Sequence, residues 1–244
     1  YHKNFPTHGE LDKGIMPGVK VDLGKHDLPG FPGEKITQGL DGLADRLAEY
    51  KDSGAKFTKW RAVFSISEET PTPEVIHVNA INLARYAAQA QAAGYVPIIE
   101  PEVLYDGDHS FDAAEEVTAK VLSEVCYQLQ RFRVDCQAAV IKSSMVLPGK
   151  DSGETATDKE VAERTARVLK ENVSDQIAGV VFLSGGQEPD EAARHLNAIS
   201  HEEPLPFEIA FSYGRALQGP PLDVWSGQAD NIAKAREEFI DRLK

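Results

Sequence analysis

Two cysteines, Cys126 and Cys136, are the only thiols among 244 residues. That is too few for a disulfide scaffold, so a reducing cytosol is the expected compartment. Long apolar runs are also missing, and none approaches the roughly 20 residues of a membrane-spanning helix. The opening stretch, residues 1–8, lacks the apolar centre of a secretory leader. Basic residues are in deficit, with 26 Lys and Arg against 39 Asp and Glu, a net charge of −13. This balance excludes a general binder of nucleic acid or acidic membrane, but leaves room for a local basic pocket that takes a small anion. No HExxH, CxxC, GxGxxG or Walker A spacing occurs, and His2, His8, His26, His77, His109, His195 and His201 are scattered. The expectation is therefore no metal and no cofactor. Asp106-Gly107-Asp108-His109 reads as a turn, and His77 and His195 read as surface residues of helices.

What is present is a regular alternation. Short apolar runs at 15–22, 55–64, 95–103, 137–142, 177–184 and 207–213 start about 40 residues apart, the last interval being 30. Helical spacing fills the intervals at 39–50, 75–93, 111–131, 158–171 and 188–199, and follows the last run at 231–243. Thr72 or Pro73 can open the second helix, and Gly94 stands where a C′ glycine belongs. Strand and helix alternating at this period predict a parallel sheet with helical crossovers, within one α/β domain spanning residues 1–244. Eight such units close a TIM (β/α)8 barrel; six are counted here, which leaves either an open sheet or a barrel short of its first two units.

Polar residues gather at the C-terminal end of each run. Residues two apart on a strand share a face, which pairs Lys20 with Asp22, Lys59 with Arg61 and Glu100 with Glu102. Six runs ending this way fit the C-terminal mouth of a barrel, where such folds place their sites. Lys142 follows Ala138-Ala139-Val140-Ile141, so its amine emerges from an apolar strand. Desolvation and a neighbouring cation such as Lys59 favour the neutral, nucleophilic amine, which can form a Schiff base with a ketone. Glu100 can move the protons this requires, or can simply neutralise Lys59 and Lys142. On the last two runs, Ser184-Gly185-Gly186 and Gly214-Arg215 resemble anion sites: glycine lets backbone N–H groups face a phosphate, and Arg215 can clamp it.

At this point the chain resembles the class I, Schiff-base-forming fructose-1,6-bisphosphate aldolases along nearly its whole length. The matching stretches are GVKVDLG (18–24), TQGLDGLADRLAEY (37–50), GAKFTKWRAV (54–63), GYVPIIEPEVLYDGDH (94–109), AVIKSSMVLPG (139–149), VVFLSGGQ (180–187), LNAI (196–199) and FSYGRALQ (211–218). The resemblance implies a barrel to which this sequence contributes strands 3–8. It also implies a cytoplasmic homotetramer in glycolysis and gluconeogenesis that interconverts fructose 1,6-bisphosphate and two triose phosphates, with no nucleic-acid or membrane partner. By the same resemblance Lys142 is the Schiff-base lysine, Glu100 the principal acid/base and Lys59 a cation assisting C–C cleavage, with Asp22 and Glu102 in support. Lys20 and Arg61 would hold one phosphate; Ser184, Gly185, Gly186, Ser212, Gly214 and Arg215 would hold the other. Two departures stand out: the family's Gly-Ile-Leu-Ala-Ala-Asp-Glu-Ser-like stretch is not found, and Ser143-Ser144 follows the lysine where relatives carry Pro-Asn. The expectation is a domain incomplete at its N-terminus, with unpaired edges at the strands bearing Lys20 and Tyr213. A non-catalytic aldolase-like protein that binds phosphosugars or a protein partner is the alternative.

Overall fold

The computed structural model describes residues 14–202 and 204–243; His2, His8 and the rest of the opening stretch lie outside them. Six strands form one parallel sheet: β1 (Gly18–Lys20), β4 (Phe57–Phe64), β5 (Val96–Val103), β6 (Val140–Ser143), β7 (Gly179–Phe182) and β8 (Glu208–Phe211). They are hydrogen-bonded in that order, so β1 and β8 are its edges among the described residues. The helices are α1 (Leu43–Asp52), α2 (Pro73–Ala92), α3 (Phe111–Arg131), α4 (Asp158–Asn172), α5 (Pro189–Ser200), α6 (Arg215–Trp225) and α7 (Ile232–Asp241). Each parallel crossover carries a helix, as parallel pairing demands. Five of the six predicted runs contain their strand, the first and last shortened to three and four residues; β6 overlaps the run 137–142 and extends one residue past it, to Ser143.

Two elements had no periodic signal. β2 (Lys25–Asp27) and β3 (Lys35–Thr37) form an antiparallel hairpin whose first strand, Lys-His-Asp, is wholly exposed. The hairpin is tied down by specific hydrogen bonds. Thr37 donates through Oγ1 to the Arg61 carbonyl at 2.7 Å, and Glu34 accepts from the Thr72 amide at 2.7 Å and its hydroxyl at 2.6 Å. It therefore sits at the C-terminal end of β4. The second element, α6, contains Pro220 and Pro221, which remove two backbone donors; burial of Ala216 and Pro221 holds it in place.

The period-2 alternation divides the sheet into two faces. On β4, Thr58, Trp60, Ala62 and Phe64 are buried beneath α2, where Trp60 stacks on Tyr86 with ring centroids 5.5 Å apart. The Tyr86 hydroxyl, within this core, meets Thr58 Oγ1 at 2.9 Å. Ile99, Ile141, Val180 and Phe182 continue that apolar face across β5, β6 and β7. The opposite face carries Lys59, Arg61, Glu100, Glu102 and Lys142, so one strand parity builds the core and the other the site. Gly18 is needed where β1 meets β4: a Cβ there would lie 2.0 Å from the Phe57 ring.

Helix starts are encoded locally. Thr72 caps α2 by accepting from the Val75 amide, with Pro73 at the first helical position, and Gly94 follows the helix at φ 83°. Thr157 and Glu160 form a reciprocal capping box at α4. Thr157→Ala is expected to lower unfolding stability by about 1 kcal/mol, read as a reduced denaturation midpoint at unchanged slope.

Candidate active site

At the C-terminal ends of the strands, Glu100 lies between two lysines from the strands on either side. One of its oxygens accepts from Lys59 Nζ on β4, and the other faces Lys142 Nζ on β6 at 3.3 Å. Glu100 is only 3% exposed and the Lys142 side chain 11%. Burial pushes the Lys142 ammonium below its ordinary range; Lys59 adds to the effect, while Glu100 opposes it. A buried amine, a carboxylate in contact with it and a second cation on that carboxylate are the parts of a nucleophilic proton-transfer centre.

A second charged layer lies further along the strands. Arg61 Nε donates to Glu102 Oε2 at 2.5 Å, and this carboxylate contact holds the guanidinium pKa above its usual value. Asp22, just past β1, accepts from the Arg61 amide at 3.2 Å, the Gly24 amide at 3.1 Å and Lys20 Nζ at 2.5 Å. Asp22 and Glu102 are buried, while Lys20 and Arg61 keep part of their cationic ends in solvent. Buried carboxylates thus orient half-exposed cations, an arrangement suited to receiving an anion.

The glycine loop follows β7. Leu183 donates its amide to the Ser143 carbonyl at 3.0 Å, and the Ser212 amide donates to the Phe182 carbonyl at 2.8 Å, so pairing continues past the strand ends. Gly185 and Gly186 adopt φ of 61° and 103°, a region L side chains rarely enter. A Cβ on Gly186 would lie 3.7 Å from Arg215 Nη2 and 3.9 Å from the Tyr105 ring, so this glycine keeps the backbone open beside the guanidinium. Gly214 precedes α6 as its N-cap. Ser184 is buried, Ser212 half-buried and Arg215 exposed. The N-terminus of an 11-residue helix, an arginine and a glycine loop face one another, the composition of a phosphate site.

The candidate catalytic and phosphate-binding residues therefore lie at the same end of the sheet. One expectation is corrected. His195 is not a surface residue but only 2% exposed, because α5 turns it toward the start of α4 and the Gln187 side chain. The sequence reading also passed over Gln187 and Tyr105; Gln187 directly follows the glycine loop, the one signal that could have found it. His77 is exposed and pairs with Glu124 at 2.7 Å. No metal-binding group of His, Cys, Asp and Glu occurs among the described residues. Nor is any helix among them long and apolar enough to cross a membrane.

Comparison with known proteins points the same way. The family model described as fructose-bisphosphate aldolase class-I matches residues 6–244. A probable fructose-bisphosphate aldolase class 1 from Xylella fastidiosa is 47% identical over 98% of this chain and 72% of its own length. The fructose-bisphosphate aldolase cytoplasmic isozyme of Spinacia oleracea is 46% identical over 96% of this chain, which spans 65% of that relative. The fructose-bisphosphate aldolase of Plasmodium falciparum, solved in complex with TRAP and a small-molecule inhibitor, superposes with a TM-score of 0.93 at 45% identity, covering 95% of this chain and 67% of that one. The fold is thus that of the (β/α)8 barrel, represented here by six parallel strands and their helices. A chain that matches the family model over all but its first five residues, and its relatives at nearly half of all positions, belongs to the class-I fructose-bisphosphate aldolases.

Proposed function

We propose that this protein cleaves fructose 1,6-bisphosphate reversibly to dihydroxyacetone phosphate and glyceraldehyde 3-phosphate through a Schiff base on Lys142. The observation that carries this reading is Glu100 held between Lys142 and Lys59 on a buried strand face. The neutral Lys142 amine adds to the C2 ketone, and Glu100 protonates the hydroxyl that departs as water. The resulting iminium draws in the electron pair of the C3–C4 bond as the C4 hydroxyl loses its proton. Glyceraldehyde 3-phosphate leaves, and an enamine remains on Lys142. Protonation at C3 and hydrolysis of the imine release dihydroxyacetone phosphate and restore the amine. The Lys59 charge beside Glu100 supports the build-up of negative charge during cleavage.

In this reading the loop of Ser184, Gly185 and Gly186, with Ser212, Gly214 and Arg215, takes the phosphate of the dihydroxyacetone half. Lys20 and Arg61, oriented by Asp22 and Glu102, take the other. The charge on each phosphate explains why an acidic protein concentrates cations at this one end. The same reading carries a homotetrameric enzyme of the cytoplasm, in keeping with the name of the spinach relative. Cleavage is tested by coupled detection of both triose phosphates. Arg215→Ala is expected to raise KM for the bisphosphate roughly ten- to hundredfold, the scale of one charge-assisted contact. An unchanged KM would remove Arg215 from the phosphate site, and absence of cleavage by the full natural chain would overturn the assignment.

A further inference from the structure

Behind the glycine loop lies a buried polar chain that the reaction does not use directly. Gln187 donates through Nε2 to the Ser184 carbonyl at 3.1 Å, and its own backbone amide donates to the same oxygen at 2.9 Å. These contacts fix the side-chain amide: with its nitrogen on Ser184, its Oε1 faces His195 Nδ1 at 2.7 Å. Oε1 can only accept, so Nδ1 must be the donor. The other ring nitrogen, Nε2, lies 3.3 Å from Asp158 Oδ1 at the first residue of α4. Both ring nitrogens thus face acceptors, an arrangement fully satisfied only by the doubly protonated ring. The charged groups around the ring are Asp158 from α4 and Glu191 and Arg194 from α5 itself; Arg194 also pairs with Asp158 at 3.4 Å.

We propose that His195 is a positioning residue for the phosphate loop, acting through Gln187 on the Ser184 carbonyl, and that protonating its ring tightens the hold. This rests on the reading of Ser184–Gly186 as a phosphate site. The physical step is short. A fixed Ser184 carbonyl fixes the turn that carries Gly185 and Gly186, and with it the direction of their N–H groups. When the ring loses a proton, one of its two acceptors meets a lone pair, and the chain from Asp158 to Ser184 loses a link. Burial holds the ring's pKa below the ordinary histidine range, with Asp158 and Glu191 opposing and Arg194 adding to the effect, so the change falls on the acid side of neutrality.

Sulfate is the probe, because it stays a dianion where phosphate titrates. Sulfate is titrated into the full chain labelled with 15N, between about pH 5 and 8, and read at the Gly185 and Gly186 amides. In the wild type these amides are expected to bind severalfold more tightly at the acid end. His195→Phe fills the space without a donor and should bind about fivefold more weakly, the equivalent of one hydrogen bond, with little pH dependence. His195→Gln, which restores a donor but cannot titrate, should recover affinity and stay flat with pH. The same split is expected in the assay, with KM for the bisphosphate rising and kcat within about twofold. Sulfate binding by His195→Phe that matches the wild type at every pH would overturn the proposal and leave the phosphate reading intact. If wild-type sulfate binding leaves both amides unmoved, the phosphate reading fails instead. The His195 link is then judged alone, from sulfate-free spectra. Ser184–Gln187 amides that follow the His195 ring titration support it, and amides that ignore that titration overturn it. His195→Phe that fails to fold leaves the His195→Gln comparison, in which a pH dependence equal to wild type would equally overturn the proposal.

Discussion

Lys142→Met is expected to lower kcat for bisphosphate cleavage by roughly 10^4- to 10^6-fold, the scale of losing a covalent nucleophile. Methionine keeps the length and apolar stem of the side chain, and with them the packing beside Ile141 on β6, so folding is preserved while the amine is lost. Borohydride reduction of the wild type with dihydroxyacetone phosphate should place one adduct, on the peptide containing Lys142, and none on the variant. Trapping should accelerate as pH rises, because the free amine is the reacting form. Its midpoint should fall below the ordinary lysine value of 10.5, since burial and Lys59 disfavour the charged state more than Glu100 supports it. An adduct on Lys59 or Lys20, or full activity in Lys142→Met, would sink the assignment.

Glu100→Gln separates two roles that coexist in the wild type. As an acid/base its loss should reduce kcat roughly 10²- to 10⁴-fold, because an amide can neither give nor take the proton of carbinolamine dehydration. As a counter-charge its loss leaves Lys59 and Lys142 without the carboxylate both now contact. The Lys142 pKa should therefore fall further, and the pH midpoint of borohydride trapping should move down in the variant. A Schiff base that forms at lower pH yet turns over slowly is the expected pair of results. Trapping shifted downward with turnover intact would reduce Glu100 to a neutralising role. An unshifted midpoint would contradict the contact between Glu100 and Lys142.

The site was unusually readable because strand geometry makes it so. Residues two apart share a face, so Lys59 with Arg61 and Glu100 with Glu102 could be placed on one surface from spacing alone. Thr72, Thr157 and Gly94 mark helix boundaries through short-range hydrogen bonds and a positive φ, which are equally local. His195 could not be read this way. Ala192 and Ile199, three before it and four after, put it on the buried face of α5, but its partners Gln187 and Asp158 are met only because α5 settles against the glycine loop and the start of α4. The β2–β3 hairpin escaped for a related reason: it is held by Glu34 and Thr37 reaching Thr72 and Arg61, not by an apolar pattern of its own.

Sequence by itself determined which segments form the parallel sheet, which of its strand faces are apolar, and which residue types stand at the strand ends. It did so because strand and helix periods, caps and glycine turns act over a few residues. Only the tertiary structure decided that Glu100 meets Lys59 on one side and Lys142 on the other, residues 41 positions before it and 42 after. Only there does Arg215 come beside Gly186, and His195 beside Gln187 and Asp158. Such meetings depend on strand register and on how each helix is seated, which are fixed by packing across the whole sheet. A reactive amine needs its carboxylate within hydrogen-bond reach, and that distance is a property of β4, β5 and β6 together.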